Sequence, residues 1–168
     1  MKSTKQLAAA FALTTLFVIP SPAQEPVPTE AGRQEIPQED RAELIRLTLE
    51  RALIAKKIPD YNIIEKQEVF YLSTENVPPG LVPTIEGVAL VMLEPEEIKK
   101  LANGRGDYVY YFKFKEFKFD GPKVIVSLDN IPMYADKPAR MAFGGGFLIE
   151  YVKQDGKWVG KEILNWIV

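Results

Sequence analysis

The chain of 168 residues has no histidine and no cysteine. These absences exclude a Ser-His-Asp triad, a cysteine nucleophile, haem or iron–sulfur ligation and a zinc site of the ordinary ligand types. Carboxylates alone can still hold a metal ion, but the sequence has no Asp-rich loop of calcium-binding spacing. We therefore expect neither a metal nor a cofactor.

The sequence also lacks a strong excess of either charge, since 21 Lys and Arg face 23 Asp and Glu. Such a balance carries no electrostatic footprint for nucleic acid. The segment Tyr108 to Phe119 interleaves seven aromatic residues with Lys113, Lys115 and Lys118. Aromatic rings with cations can stack single-stranded bases, but the pattern favours a strand with a core face and a lysine-guarded outer face. We expect no nucleic-acid partner.

No apolar run is long enough to cross a membrane, which takes about 20 residues. The longest, Leu7 to Ile19, follows Lys2 and Lys5 and is followed by small residues up to Ala23. This is the pattern of a secretory signal peptide at residues 1–23, cleaved after Ala23. We therefore expect a secreted or periplasmic product without a transmembrane segment.

After the signal peptide, residues 24–38 hold Pro26, Pro28 and Pro37 and almost no large apolar side chain. Such a composition is typical of a disordered leader. Residues 39–168 then have the length of one domain, and we predict a single α+β domain there.

A helix is predicted from Glu39 to Ile58, because acids stand at its start, lysines lie in its last turn and Pro59 stops it. Its apolar residues recur three, four and seven positions apart and form one face: Leu44, Ile45, Leu49, Ala52, Leu53 and Ile58. A second, short helix is predicted over Glu94 to Asn103, with Pro95 at its first position and Gly104 as its stop.

Strands are predicted where β-branched and aromatic residues cluster between turn signals: Val69–Thr74, Val88–Leu93, Tyr108–Phe119, Lys123–Asn130, Phe147–Lys153 and Lys157–Ile167. Asp120-Gly121 and Asp155-Gly156 are hairpin signals. The predicted fold class is α+β: one long N-terminal amphipathic helix on a curved, mostly antiparallel sheet of about five or six strands, plus one short helix.

The third strand changes its alternation in the middle. Phe112 and Phe114 fall on even positions, whereas Phe117 and Phe119 fall on odd ones. An extra residue at Lys115-Glu116 would account for the change, so we predict a β-bulge that bends the sheet there.

One amphipathic helix ahead of bent strands, closed by the hairpin Asp155-Gly156-Lys157-Trp158, resembles the cystatin-like and nuclear-transport-factor-like α+β cone superfamily. The resemblance covers roughly residues 40–168. It implies a helix lying across a curled sheet, and a site inside the cone. Enzymes of this superfamily commonly use a carboxylate in the cone with Tyr, Asn or Arg beside it, and other members act as adaptors or immunity proteins.

The candidate site residues are Tyr71, Asp129, Tyr134, Arg140 and Glu150. A carboxylate of Asp129 or Glu150 that is desolvated among aromatic rings would have a raised pKa and could act as a general base, with a tyrosine as hydrogen-bond donor. In the alternative interpretation these acids face water opposite lysines, and Arg140 is a solvated loop residue.

Two functions follow from these features. The first is non-enzymatic binding of a small apolar ligand or a protein partner, which we expect because the sequence contains no catalytic constellation. The protein partner could be a second copy of the chain, which would make a homodimer. The alternative is a cofactor-free isomerase or hydrolase that uses a buried carboxylate in the cone.

Overall fold

A computed structural model describes residues 36–59, 64–138 and 140–167. The predicted signal peptide and residues 24–35 of the predicted leader lie outside these residues. Across them the protein is α+β, with two α-helices and one six-stranded mixed sheet. Neither helix in the described ranges is long and apolar enough to cross a membrane.

The first helix, α1, spans Gln38–Leu53 and has 16 residues. Glu39 and Asp40 lie in its first turn, where carboxylates complement the helix dipole. Its buried face packs on the sheet and contains Leu44, Ile45, Thr48, Leu49, Ala52 and Leu53. The prediction of one long N-terminal helix reaching Ile58 is wrong, because α1 ends five residues earlier.

The end of α1 has a local cause. Lys56 has a φ of 51°, in the left-handed region that continues no helix. The amides of Ala55 and Lys57 bond back to Glu50 and Arg51, so the chain turns off the helix axis. This turn leaves Ile54 exposed and allows Ile58 to be buried without another helical turn.

The six strands are β1 Val69–Ser73, β2 Ala89–Leu93, β3 Tyr108–Asp120, β4 Lys123–Tyr134, β5 Gly145–Gln154 and β6 Lys157–Ile167. Their order in the sheet is β2-β1-β3-β4-β5-β6. Strand β1 runs parallel to both β2 and β3, whereas the pairs from β3 to β6 are antiparallel. The predicted mostly antiparallel sheet is therefore corrected to a mixed one, since two of its five strand pairs are parallel.

The second helix, α2, spans Pro95–Arg105 and connects β2 to β3. Glu94 and Glu97 form a capping box at its start, and Gly106 ends it with a φ of 68°. Arg105 donates to the Tyr71 hydroxyl at 3.3 Å. Because the neighbours of Tyr71 in β1, Phe70 and Leu72, belong to the core beneath α1, α2 lies on the opposite side of the sheet, here called the far face.

The predicted bulge in β3 is confirmed. The pairing of β3 with β4 shifts by one residue between Phe114 and Glu116, so Lys115 is the extra residue. The two hairpins are confirmed as well: β3 and β4 are joined through Gly121, and β5 and β6 through Asp155 and Gly156.

The main core lies between α1 and the sheet. Its largest fully buried side chains include Phe112, Phe114, Phe147, Leu44 and Leu49. Burial of each such side chain stabilises the fold by about 1.5–3 kcal/mol. One polar pair crosses this core, since Thr48 Oγ1 lies 2.9 Å from Tyr151 Oη. Thr48 gives its single hydroxyl proton to the carbonyl of Leu44, so Tyr151 is the donor to Thr48.

Candidate functional site

Asp129 is a buried carboxylate on the far face of the sheet. Its neighbour Asn130 pairs with Phe112 and therefore shares the face of α1, so Asp129 points to the other side. The register places Lys113 of β3 beside Asp129, Gly146 of β5 on its other side and Trp166 of β6 beyond Gly146. Only 2% of the Asp129 surface is exposed.

Two side chains close over this carboxylate. Lys115 Nζ lies 3.0 Å from Asp129 Oδ2 and 5.5 Å from the centre of the Trp166 ring. The Trp166 indole covers Gly146, where an added Cβ would come within 2.5 Å of both Asp129 Oδ1 and Trp166 Cζ2. We call Lys113, Lys115, Asp129, Gly146 and Trp166 the Asp129 site. The missing side chain of Gly146 is what allows the indole to approach the carboxylate.

The electrostatics of the site reflect burial. Desolvation raises the pKa of Asp129 above its ordinary value, although the ammonium groups of Lys115 and Lys113 oppose the shift. Asp129 Oδ1 is buried and has no hydrogen-bond partner within the described part of the chain. Lys113 is itself paired with Glu75 at 2.8 Å. Burial, with the nearby carboxylates of Glu75 and Asp129, also raises the pKa of Tyr111.

This arrangement holds an ammonium group better than it performs acid–base chemistry. A general base needs an oxygen within hydrogen-bond reach of its substrate. Lys115 occupies one oxygen of Asp129, and the Gly146 backbone and the indole border the other. Within residues 36–59, 64–138 and 140–167, no three carboxylates come together as a metal site.

The other predicted site residues lie away from Asp129 and serve local contacts. Tyr71 contacts Arg105 of α2. The Tyr134 hydroxyl donates to the carbonyl of Ala142 at 2.6 Å and accepts from the amide of the same residue at 2.9 Å, so it holds the loop before β5. Arg140 Nε donates to Asp107 Oδ2 at 2.9 Å, in the same region as Tyr134.

Glu150 lies on the far face, as Asp129 does, but four residues further along the strands, which corresponds to about 13 Å. Lys123 Nζ bonds its carboxylate at 2.8 Å. This contact matches the interpretation of a cross-strand pair at the surface. Glu162, a further acid of β6, instead bonds Arg51 of α1 at 2.9 Å, so these carboxylates are not gathered on one face.

A second candidate surface lies on β6, the outermost strand of the sheet. Its far face carries Lys157, Val159, Lys161 and Leu164, which we call the β6 surface. The exposed fraction is 48% for Val159 and 55% for Leu164. Ile163 and Ile167 of the same strand are also exposed. An edge strand presents unpaired backbone donors and acceptors to its surroundings.

The sequence predicts Asp129 as a site residue but not the residues that surround it. The predicted bulge indicates Lys115, because it turns this lysine out of the regular alternation. No sequence pattern indicates Trp166, since its position opposite Gly146 depends on a second bulge in β6 after Glu162.

Comparison with models of known protein families, with curated proteins and with solved structures finds no match to this chain. The resemblance to the cystatin-like and nuclear-transport-factor-like superfamily therefore stays a prediction.

Proposed function

We propose that the protein is a binding module that captures an extended segment of a partner protein along β6. The observation that carries the proposal is an edge strand of 11 residues with exposed apolar side chains. A partner segment in the extended conformation would add to the sheet through main-chain hydrogen bonds, and its alternate side chains would contact the β6 surface.

Exposure along the chain supports this location. Nine large apolar side chains of the described residues are exposed, and four of them lie on β6: Val159, Ile163, Leu164 and Ile167. The opposite edge of the sheet, β2, has only five residues. Concentrated apolar exposure of this kind marks interaction sites more often than scattered single residues do.

The charges of β6 indicate the chemistry of the partner. Lys157 and Lys161 are exposed on the far face. Glu162, the only acid of the strand, lies toward α1. Burial acts to raise the pKa of its carboxyl, but hydrogen bonds from Asn165 and Arg51 keep this pKa below the ordinary value. A second copy of β6 therefore offers no free carboxylate to these lysines. The complementary segment alternates apolar and acidic residues.

The other predicted functions have less support. A small apolar ligand would need room between α1 and the sheet, where Phe112, Phe114 and Phe147 are packed against α1. A hydrolase or isomerase would need Asp129 as its base, whereas this carboxylate is paired with the ammonium group of Lys115 at 3.0 Å. Export through the predicted signal peptide belongs to the same proposal, because it would place the β6 surface among envelope or extracellular partners.

Peptide selection tests the proposal. A library of random extended peptides is panned on the immobilised protein, and the selected peptides are titrated into ¹⁵N-labelled protein. We expect selected sequences that alternate apolar and acidic residues, and amide shifts with slowed hydrogen exchange along β6. Selection of no peptide, or shifts that avoid β6, would contradict the proposal.

Variants locate the contact. Leu164→Asp places a carboxylate within the apolar part of the β6 surface and should weaken binding of a selected peptide by about tenfold or more. The matched control is Met141→Asp, since Met141 is 81% exposed but lies in the loop before β5. Lys161→Glu should lower the affinity for acidic peptides and raise that for their lysine-substituted counterparts. Equal affinities in all of these variants would place the contact elsewhere.

A further inference from the structure

The Asp129 site already contains an ammonium group, which its own chain supplies. Lys115 Nζ lies 3.0 Å from the buried carboxylate and 5.5 Å from the centre of the Trp166 ring. A carboxylate and the face of an indole are the two groups that proteins use to hold organic cations. Lys115 therefore occupies a position that is chemically defined by Asp129 and Trp166.

The carboxylate has capacity beyond this one contact. Only 2% of Asp129 is exposed, and its Oδ1 has no hydrogen-bond donor within the described residues. An ionised carboxylate can accept several hydrogen bonds, and a buried acceptor without a partner is unfavourable. The site thus retains a demand for a donor that Lys115 does not meet.

Lys115 is also the member of the site that can leave it. It is the extra residue of the β3 bulge, and its side chain is 54% exposed. A lysine at a bulge can turn into water without breaking the ladder of paired residues on either side. Its departure would uncover the carboxylate and one face of the indole.

We propose that the Asp129 site binds a primary ammonium group from outside the chain, and that Lys115 occupies the site when this ligand is absent. The ligand class is a primary alkylamine, either free or as the lysine side chain of a peptide. The inference does not depend on the binding of a segment at β6, because the two sites use different side chains.

Titrations of ¹⁵N-labelled protein test it, with 1,5-diaminopentane as the free amine and N-acetyl-lysine methylamide as the peptide-like probe. We expect saturable shifts of the Gly146 amide and of the Trp166 indole N–H, and the tighter of the two probes identifies the source of the amine. Neutral 1-pentanol should produce neither shift. Shifts that do not saturate, or that 1-pentanol reproduces, would overturn the proposal.

Two variants separate the role of Lys115 from that of Asp129. Lys115→Met removes the internal competitor, so the amine should bind about tenfold more tightly. Asp129→Asn should abolish the saturable shifts. The control, Lys118→Met, changes an exposed lysine of the same strand and should leave the affinity unchanged. An affinity unaltered by Lys115→Met would show that Lys115 does not compete, and would overturn the proposal.

Should Lys115→Met unfold in part, thermal melting decides the same question. The amine should raise its melting temperature more than sodium chloride at equal ionic strength does, because the ligand binds only the folded site. This increase should disappear in the double variant with Asp129→Asn. Equal melting temperatures in the amine and in salt would count against the site.

Discussion

At the scale of single residues, Gly146 determines whether the indole of Trp166 can cover Asp129. In Gly146→Ala, the new Cβ would stand 2.5 Å from the carboxylate oxygen and from the indole, so one of them must move. We expect a loss of about 1–3 kcal/mol in the free energy of unfolding, measured by urea denaturation. The control Gly104→Ala has open space within α2 and should gain up to about 1 kcal/mol. Equal losses in both variants would contradict this account.

Tyr151 gives a second prediction at this scale, on the alkaline side. Burial raises the pKa of Tyr151 to about 12 from 10.0. Because the folded state holds the phenolic proton more tightly, this stabilisation is complete below pH 10 and decreases as the pH rises toward 12. Its loss amounts to roughly 2–3 kcal/mol. The measurement is the unfolding free energy of the natural chain and of Tyr151→Phe at several pH values from 8 to 12.

The other tyrosines and the lysines titrate in both the natural chain and Tyr151→Phe. The difference between their unfolding free energies therefore reports on Tyr151 alone. At pH 8 the variant should be about 1 kcal/mol less stable, because Thr48 loses its donor. The two stabilities should become equal at about pH 11, and the variant should be the more stable at pH 12, because the loss on ionisation exceeds the initial difference. Parallel curves over the whole range would show that the phenol is not held neutral by the fold.

At the scale of elements, the turn after α1 carries strain that a glycine would remove. Lys56 has a positive φ, which is unfavourable for a residue with a Cβ. Its ion pair with Glu65, at 3.5 Å between two exposed side chains, contributes little. Lys56→Gly should therefore raise the unfolding free energy by about 0.5–1 kcal/mol. Lys57→Gly, where φ is not positive, should lower the unfolding free energy. If Lys57→Gly were instead the more stable of the two variants, the backbone strain would not lie at Lys56.

Hairpin turn residues and the alternation of side chains along a strand predict the strands well, because both depend only on residues that are close in sequence. The turn at Gly121 and the bulge at Lys115 together place Lys113 opposite Asp129, as the structure does. The parallel pairing of β1 with β2 and β3 is not local, since the chain passes from β1 to β2 through residues 74–88 and from β2 to β3 through α2. No residue pattern within β1 distinguishes this order from a simple meander.

The sequence predicts only part of the Asp129 site for the same physical reason. Counting from the turn at Asp155-Gly156 puts Asn165 opposite Gly146, and Trp166 takes that position because β6 contains one extra residue after Glu162. Nothing in the apolar run around Ile163 indicates such a bulge. Likewise, the end of α1 at Leu53 depends on a left-handed lysine, a conformation that glycine or asparagine usually signals.

At the scale of the whole molecule, the lysines of the β6 surface bear on self-association. Lysines on an edge strand limit pairing between copies of a chain, since antiparallel pairing centred on Val159 would set Lys157 of one copy against Lys161 of the other. We expect the natural chain to sediment as a monomer over a wide concentration series. Lys157→Thr combined with Lys161→Thr should shift the series toward dimers and larger species, because threonine favours strands and removes the repulsion.

The matched control replaces Lys118 and Lys137 with threonine, since both are exposed lysines outside β6. It removes the same net charge, so association in this control would assign the effect to charge in general. A natural chain that already sediments as a dimer would make a second copy the occupant of β6 instead of an acidic segment. A β6 double variant that stays monomeric would mean that some other feature of the edge, such as the bulge after Glu162, prevents pairing. We thus expect Lys157 and Lys161 to attract an acidic strand to the β6 edge and also to repel a second copy of β6, because Glu162 of that copy is already bonded to Arg51.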